Sequence, residues 1–318
     1  MGRLLQSAAM SALFFCPVMA GFMPDYSAPG PAYDRRPRYN RACAMSVNPE
    51  LRTLDVDIPS QPQALVELSL LLAEDEINLQ AAAALIETDM ALAAAVMKAV
   101  NSSLYGLQGR VQSVHQAITY LGMREVAGIT FEMGLRAAFP PAPELEPLWQ
   151  RAGYRGLLMG RLAASLSLDA WAAHSAGLFE ECGKAVLFRH APDHYGAMLR
   201  AAGSAPHGDV ALVTLERTGF GVSHDALGAA LCESWGLGPA AVASVRHHVL
   251  AQAEGVLPEA PARRPICVLS VLAHALMNAS HTLESTVAAL APQADLDPTL
   301  VLRAARHTRD ALQAAAGA

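Results

Sequence analysis

The segment Ala176-Gly177-Leu178-Phe179-Glu180-Glu181-Cys182-Gly183-Lys184 carries the strongest indication of the fold. It places two adjacent carboxylates in an apolar stretch that is predicted to be helical from residue 170 to 188. Neighbouring carboxylates repel each other unless a cation lies close by, and Arg151 is the expected partner in a structural Arg–Glu pair. The Gly183-Lys184 pair alone does not form a phosphate-cradling loop, because no Gly-rich run precedes it.

The composition around this segment is typical of a helical protein. The 318 residues are 53% hydrophobic but only 16% charged and 6% aromatic, and Ala and Leu, which dominate the apolar set, favour helices. This length suffices for one large domain or two closely packed lobes. The 23 Lys and Arg residues against 29 Asp and Glu give a net charge of −6. Since no basic run occurs, we expect no binding to nucleic acid.

The cysteines indicate a reducing compartment. There are five, an odd number without any C-x-x-C spacing, at Cys16, Cys43, Cys182, Cys232 and Cys267. This pattern speaks against both a disulfide framework and a zinc knuckle. Scattered free thiols in the core of a cytoplasmic protein are the expectation.

The first 45 residues differ from the rest. An apolar run from residue 8 to 20, interrupted by Pro17, resembles a weak secretory signal but is too short to span a bilayer. Residues 24 to 41 combine Pro, Gly, Tyr and Arg without periodicity, as in a disordered segment. Either the stretch is an export signal, or it is a translated upstream region and the functional start is Met45. The disulfide-free remainder favours the second alternative, and we expect no membrane span.

From Ile58 onward the sequence predicts helices and no strand. Asn78, Asp89 and Ser113 are expected N-caps, and Gly122 is an expected helix end. Dense prolines at 140–143 cannot lie inside a helix and are taken as a lobe boundary. Predicted helices include 79–88, 90–100, 114–122, 123–138, 144–168, 170–188, 239–248, 265–278, 283–290 and 298–315.

The expected architecture is an all-α, two-lobed helical bundle with a disordered or signal-like N-terminal extension. Its predicted parts are the extension at 1–45, an N-terminal helical lobe at 46–140, a second helical lobe at 144–255, and C-terminal helices at 262–318 packed on the second lobe. No repeat at a solenoid period is apparent.

Two blocks of short motifs follow one another along the chain. The first consists of IPSQPQAL (58–65), LIETDMAL (85–92), VNSSLYG (100–106) and AITYLG (117–122). The second consists of Trp149, residues 177–184, GAAL (228–231) with WGL (235–237), and RHH (246–248). In this order the motifs, over residues 58 to 250, resemble the HDOD family, catalytically silent relatives of the HD metal-dependent phosphohydrolases. Met90 stands where the family usually has proline. The family-motif positions are Pro59, Pro62, Asp89, Asn101, Ser102, Gly106, Gly122, Gly183 and Lys184.

The resemblance implies an HD-like helical fold in which the hydrolase metal ligands have been replaced. The His-Asp pair of the enzymes falls on Glu180 and Glu181, and their first histidine falls near Arg151, which would repel a metal. A late aspartate falls at His274, whereas His224, His247 and His248 remain. The resemblance therefore implies a bacterial signalling module without catalytic residues, metal or cofactor, which binds proteins of a signalling pathway or a nucleotide.

Two alternatives stay open at this point. A rebuilt site combining Glu180 or Glu181 with the four histidines could hold zinc, manganese or iron, as in a divergent phosphohydrolase acting on a nucleotide or cyclic dinucleotide. A nucleotide receptor without catalysis is the other.

Further residues are interpreted as structural. Asn101 is expected to take the left-handed end of a helix and to bond neighbouring backbone. His190 and His194 have metal-site spacing, but Pro192 between them argues against a shared helix.

Overall fold

The computed structural model describes residues 58–72, 74, 76–102, 105, 107, 109–203 and 208–316. The expectations for the 1–45 extension, the Met45 start and Gly106 lie outside these residues. The described chain is helical and contains no strand, which confirms the all-α fold class. Within it, no helix is long and apolar enough to cross a bilayer.

The helices follow one another with short connections. They are α1 (Gln63–Leu72), α2 (Leu79–Thr88), α3 (Met90–Val100), α4 (Val114–Leu121), α5 (Met123–Ala137), α6 (Glu146–Ser165), α7 (Ala170–Phe179), α8 (Cys182–His190), α9 (Pro192–Gly203), α10 (Gly208–Phe220), α11 (His224–Ser234), α12 (Pro239–Glu254), α13 (Arg264–Asn278), α14 (Leu283–Leu290) and α15 (Pro298–Ala316). Single 3₁₀ turns precede α6, α13, α14 and α15.

Side-chain caps fix the first helices as predicted. Asn78 Oδ1 accepts the backbone N–H groups of residues 80 and 81 at 3.1 and 3.0 Å, and Asp89 Oδ1 accepts those of residues 91 and 92 at 3.0 Å. Ser113 Oγ accepts from the Gln116 N–H at 3.2 Å. The Gln116 side chain, however, accepts the N–H of Gln112 at 2.8 Å. The capping box therefore closes one residue earlier than its usual form.

Two helix limits differ from the prediction. The continuous helix expected over 170–188 is broken, since α7 ends at Phe179 and α8 begins at Cys182. Glu181, between them, has φ −104° and ψ 6°, and its carboxylate contacts Arg151 and Arg155 on α6 as well as Lys184 on α8. The helix expected to end near His248 continues to Glu254, because the next residue that stops it is Gly255, in the left-handed region at φ +70°.

The expectation for Asn101 was partly wrong. Its backbone, at φ −84° and ψ 6°, is not left-handed. Its Nδ2 donates to the Met97 carbonyl at 3.1 Å and to the Val111 carbonyl at 2.9 Å. The side chain thus ties the end of α3 to the loop before α4, which is the structural role expected of it. His190 and His194 lie on separate helices, as the proline between them predicted.

Two buried clusters hold the described residues in one compact unit. The first joins α1–α5 to α8 and α11, and it includes an edge-to-face contact between Phe179 and Trp235 at 5.4 Å. Trp235 Nε1 also donates to the Pro59 carbonyl at 2.9 Å, which links the first sequence motif to α11. The second cluster joins α6, α7 and α12 to α13–α15. The limits at 46–140, 144–255 and 262–318 stay predictions.

His174 on α7 is enclosed by its neighbours. A Cβ atom at Gly128 would lie 2.5 Å from His174 Nε2, so α5 approaches this closely because residue 128 is glycine. Trp171, one turn earlier, stacks on the imidazole with a centroid distance of 6.2 Å. Burial lowers the pKa of His174 to about 4.

This pKa predicts an acid-sensitive fold. Because the folded-state pKa of His174 lies below the unfolded value of about 6.5, the stability is present above that pH and is lost as pH falls toward 4. Between pH 8 and pH 5 the loss is about 2 kcal/mol. We expect that, in His174→Gln, the free energy of unfolding measured in urea falls by about 2 kcal/mol less between pH 8 and pH 5 than in the wild type. The variant keeps His247 and His248, whose pKa values burial also lowers, so an unchanged slope would contradict the assignment.

Candidate functional site

A charged cleft of about 470 Å³ is lined by residues of α6, α8, α9, α10, α12 and α13. Its polar wall consists of Glu144, Arg151, Arg155, Glu180, Glu181, Lys184, Asp209, His248, Gln252, His274 and Asn278. The fold therefore brings together six of the residues singled out from sequence, namely Arg151, Glu180, Glu181, Lys184, His248 and His274. His224 and His247 do not line the cleft.

The Arg155 guanidinium lies between the two carboxylates. Its Nη1 donates to Glu181 Oε2 at 2.9 Å, its Nε donates to the Gly177 carbonyl at 2.9 Å, and Nε lies 3.4 Å from Glu180 Oε1. The three charged side chains are almost completely buried, with 7% or less of their surface exposed. Although burial opposes the charged form, Glu180 and Glu181 hold the pKa of Arg155 above its usual value. A built-in cation thus fills the space between the carboxylates.

Glu181 is approached by three cations. Lys184 Nζ donates to Oε1 at 2.6 Å, Arg155 donates to Oε2, and Arg151 makes longer contacts of 3.3 and 3.4 Å. Burial would raise the pKa of Glu181, but Lys184, Arg155 and Arg151 together hold it well below its usual value. The Arg151 pair expected from sequence is present. It is, however, the longest of the three, and the Arg151 side chain is 46% exposed.

Lys184 is fixed on both sides. Its Nζ also donates to Asp209 Oδ1 on α10 at 2.7 Å. Burial opposes its charge, but Glu181 and Asp209 hold the pKa of Lys184 above its usual value. The lysine of the Gly-Lys motif therefore joins α8 to α10 through a buried ion pair.

Glu180 has both carboxylate oxygens engaged. Ser270 Oγ donates to Oε2 at 2.6 Å and Gln252 Nε2 donates to Oε1 at 2.8 Å, while Arg155 lies beside Oε1. Gln252 also donates to Ser270 Oγ at 3.1 Å. The carboxylate is therefore locked between α12 and α13.

A second polar group joins Tyr195, Glu216 and His224, and His248 of the cleft wall lies beside it. Tyr195 donates its hydroxyl proton to Glu216 Oε1 at 2.5 Å, and the other carboxylate oxygen lies 2.8 Å from His224 Nδ1. His248 donates from Nδ1 to the Val245 carbonyl at 2.7 Å, since a carbonyl oxygen only accepts. The two imidazoles are 5.3 Å apart between centroids, and neither Nε2 has a hydrogen-bond partner among the described residues.

The residues present do not fit a hydrolase metal centre. Imidazoles whose Nδ1 is held by a carboxylate or carbonyl resemble metal ligands. Yet within the described ranges no group of three or more His, Cys, Asp or Glu side chains could hold an ion. Glu180 and Glu181 face cations instead. His247 and His274 are only partly buried, and His274 Nδ1 lies 3.3 Å from Asn278 Nδ2.

The family-motif positions outside the cleft make structural contacts. The Pro62 carbonyl accepts the first hydrogen bond of α1 at 2.9 Å, and Gly122 ends α4 at φ +85°. Ser102 donates its backbone N–H to the Ala99 carbonyl at 3.0 Å. These positions shape the first helices and do not reach the charged cleft.

Sequence reasoning missed several residues of the site. Arg155, Asp209, Gln252 and Ser270 complete the ion network, and Glu216 orients His224. A signal existed for Arg155, because it lies one turn after Arg151 and thus on the same helix face. The same signal existed for Gln252, which lies one turn after His248 on α12. The other three partners lie outside the motifs and had no such signal.

Comparison with known proteins places this geometry in a family. The HDOD domain model matches residues 58–250. A protein of Treponema pallidum (strain Nichols), itself uncharacterised, is 26% identical over 195 residues, covering 60% of this chain and 37% of the relative.

Solved structures show the same fold. A Marinobacter aquaeolei VT8 protein, provisionally described as a signal transduction protein, has a TM-score of 0.64 at 23% identity and covers 82% of this chain. An HDOD domain protein of unknown function from Geobacter sulfurreducens has a TM-score of 0.61 at 19% identity, with 82% of this chain and 92% of that chain covered. A Shewanella amazonensis SB2B protein, provisionally described as a phosphohydrolase, has a TM-score of 0.57 at 16% identity, with 81% and 93% covered. The chain spans 37% of the Treponema relative and 60% of the Marinobacter chain.

Proposed function

Because the chain belongs to the HDOD domain family, we propose that it is a non-catalytic signalling module that acts by binding a protein or a small ligand. The observation that carries the proposal is the Arg155 guanidinium between Glu180 and Glu181. A metal-activated water needs open, anionic or neutral ligands around the ion. Here the carboxylates at the corresponding positions are neutralised by the protein's own cations.

The protonation states in the cleft support the same conclusion. A general base works best with a pKa near the operating pH. Lys184, Arg155 and Arg151 hold the pKa of Glu181 well below its usual value, and Lys184 lowers the pKa of Asp209. These carboxylates are therefore weak proton acceptors, and their electrostatic role is to balance the buried cations.

The proposal also includes the setting in which the module works. The described cysteines, Cys182, Cys232 and Cys267, are buried free thiols, which suits a reducing cytoplasm. The likeness to a protein provisionally described as a signal transduction protein supports a partner within a signalling pathway.

The test is a search for turnover by the full chain. We expect no hydrolysis of nucleoside triphosphates, cyclic dinucleotides or bis-p-nitrophenyl phosphate above the buffer background, with or without added Mn²⁺. The matched protein control is Glu181→Gln, which keeps the shape of the side chain but removes its charge. Hydrolysis by the wild type that disappears in this variant would overturn the proposal.

A divergent metal-dependent phosphohydrolase is the second candidate, and the unpartnered Nε2 atoms of His224 and His248 favour it. Elemental analysis after purification without chelator discriminates between the two. Near-stoichiometric zinc, manganese or iron that is lost in His248→Gln would support the second candidate. Trace metal that is equal in both proteins would count against it.

A further inference from the structure

Two residues that line the cleft each carry a buried polar atom without a partner in the described part of the chain. Arg155 Nη2 and His248 Nε2 form no hydrogen bond with any described residue, and their side chains belong to residues only 6% and 1% exposed. Both residues line the 470 Å³ cavity. Leaving a buried donor or acceptor unsatisfied is unfavourable, so a ligand that supplies the missing partners is stabilised on binding.

Of the three cations beside Glu181, Arg151 makes the longest and most exposed contact. Lys184 and Arg155 contact Glu181 at 2.6 and 2.9 Å, whereas Arg151 lies at 3.3 Å with almost half of its side chain exposed. If Arg151 turned away, Glu181 would keep two close buried cations. The guanidinium therefore can move toward the cavity without leaving a buried carboxylate unpaired.

We propose that the cleft binds a small oxyanion, a phosphate or carboxylate group, between Arg151 and Arg155. Arg155 Nη2 donates to the oxyanion, and Arg151 exchanges its long contact with Glu181 for a bidentate pair with it. This inference rests on the proposed function and names the ligand class of the same site.

His248 adds a requirement on the ligand. Its Nδ1 proton is committed to the Val245 carbonyl, and burial lowers the pKa of the imidazole, so Nε2 presents a lone pair. The ligand must therefore carry a hydroxyl or N–H donor near its anionic group. Protonated phosphate, a hydroxy acid and a nucleoside monophosphate each satisfy this requirement, and pockets of this size take small molecules.

The charge balance of the cleft permits an anion. Arg151, Arg155 and Lys184 are matched by Glu180, Glu181 and Asp209 through the ion pairs already described. Glu144 is a further carboxylate, but it is exposed at the rim, where water and salt screen it. Glu180, Glu181 and Asp209 also line the cleft, but their charges are already engaged in ion pairs, so the bound oxyanion contacts the two guanidinium groups.

Isothermal titration calorimetry on the full chain tests the proposal. The probes are inorganic phosphate, lactate and guanosine monophosphate, titrated at constant ionic strength in a buffer free of phosphate and carboxylate. Chloride keeps the ionic strength equal in every titration, so that salt screens the arginine charges to the same extent. We expect saturable binding of at least one probe, and its identity distinguishes a phosphate from a carboxylate ligand.

Two arginine variants separate specific binding from general charge effects. Arg151→Gln is expected to weaken binding at least tenfold. Arg136→Gln removes a similarly exposed arginine, which pairs with Glu146 outside the cleft, and is expected to bind like the wild type. Absence of saturable binding by every probe, or equal affinity of Arg151→Gln and wild type, would overturn the site. If no probe binds and none is hydrolysed, the oxyanion site is wrong but the proposed non-catalytic function is unaffected. If a probe binds and is hydrolysed, the non-catalytic function is wrong but the oxyanion site is retained.

Discussion

Replacing Arg155 with methionine is expected to lower the free energy of unfolding by about 3–5 kcal/mol. Methionine keeps much of the length and packing of the side chain but removes its charge. Glu180, at 2% exposure, then loses the cation beside it, and Glu181 loses its 2.9 Å partner. The cost arises because the charged partners of Arg155 stay buried after the cation is removed.

Urea unfolding of matched variants isolates this effect. Arg151→Met removes a guanidinium from the same helix face, but its pair with Glu181 is long and half exposed, so we expect a loss of about 1 kcal/mol or less. Adding Glu180→Gln to Arg155→Met is expected to recover at least about 1 kcal/mol, because the double variant no longer buries that unpaired charge. Equal stability of Arg155→Met and Arg151→Met would show that Arg155 does not neutralise the carboxylates.

The buried ions are hard to explain by stability alone. Burying an ion pair costs desolvation energy, and well-packed apolar residues in the same space are often as stable or more so. Six charged side chains nevertheless form ion pairs at this cleft, and a buried polar atom on each of two lining residues, Arg155 and His248, remains without a partner among the described residues. A binding role accounts for both observations, because a polar ligand can form hydrogen bonds with these two polar atoms.

Local signals were enough to predict much of the helical frame. Asn78 and Asp89 begin helices with bonds to backbone only two and three residues away. Gly122 ends one through its own backbone angle. Because these contacts are made within one turn, the residues that specify them are neighbours in sequence. The order of the motifs then indicated that Glu180, Lys184 and His248 lie in one cleft, because members of the family share both this order and the arrangement of their helices.

Such local signals could not predict contacts between residues that are far apart in sequence. The pairs Arg155–Glu181, Lys184–Asp209 and Gln252–Glu180 join residues 26, 25 and 72 positions apart. The break between α7 and α8 is a second feature that local signals missed. The local sequence favours a continuous helix, but Glu181 has φ −104° and ψ 6°. Its carboxylate contacts Arg151 and Arg155 on α6, which are 30 and 26 positions away, as well as Lys184 three residues on.

Gly183→Ala is expected to destabilise the protein by about 3 kcal/mol or more. A Cβ atom at this position would lie 2.0 Å from the His224 carbonyl oxygen and 2.8 Å from the Gly228 backbone nitrogen. Both atoms are backbone, so no rotamer change relieves the clash, and α8 must move away from α11. Lys184, the next residue, would move with α8 away from Asp209 on α10. The glycine of the motif is thus required by helix packing, whatever the cleft binds.

Thermal and urea unfolding of two glycine variants test this packing argument. Gly196→Ala on α9 is the control, because its Cβ would meet Arg200 Nη1 at 3.5 Å and Phe188 Cε2 at 3.8 Å, which are ordinary contacts. Alanine is the better helix former, so we expect this variant to be as stable as the wild type or up to about 1 kcal/mol more stable. A Gly183→Ala protein that unfolds at the wild-type temperature would contradict the close approach of α8 and α11. Because α8 carries Lys184 to Asp209 on α10, the arrangement of the cleft would then have to be revised as well.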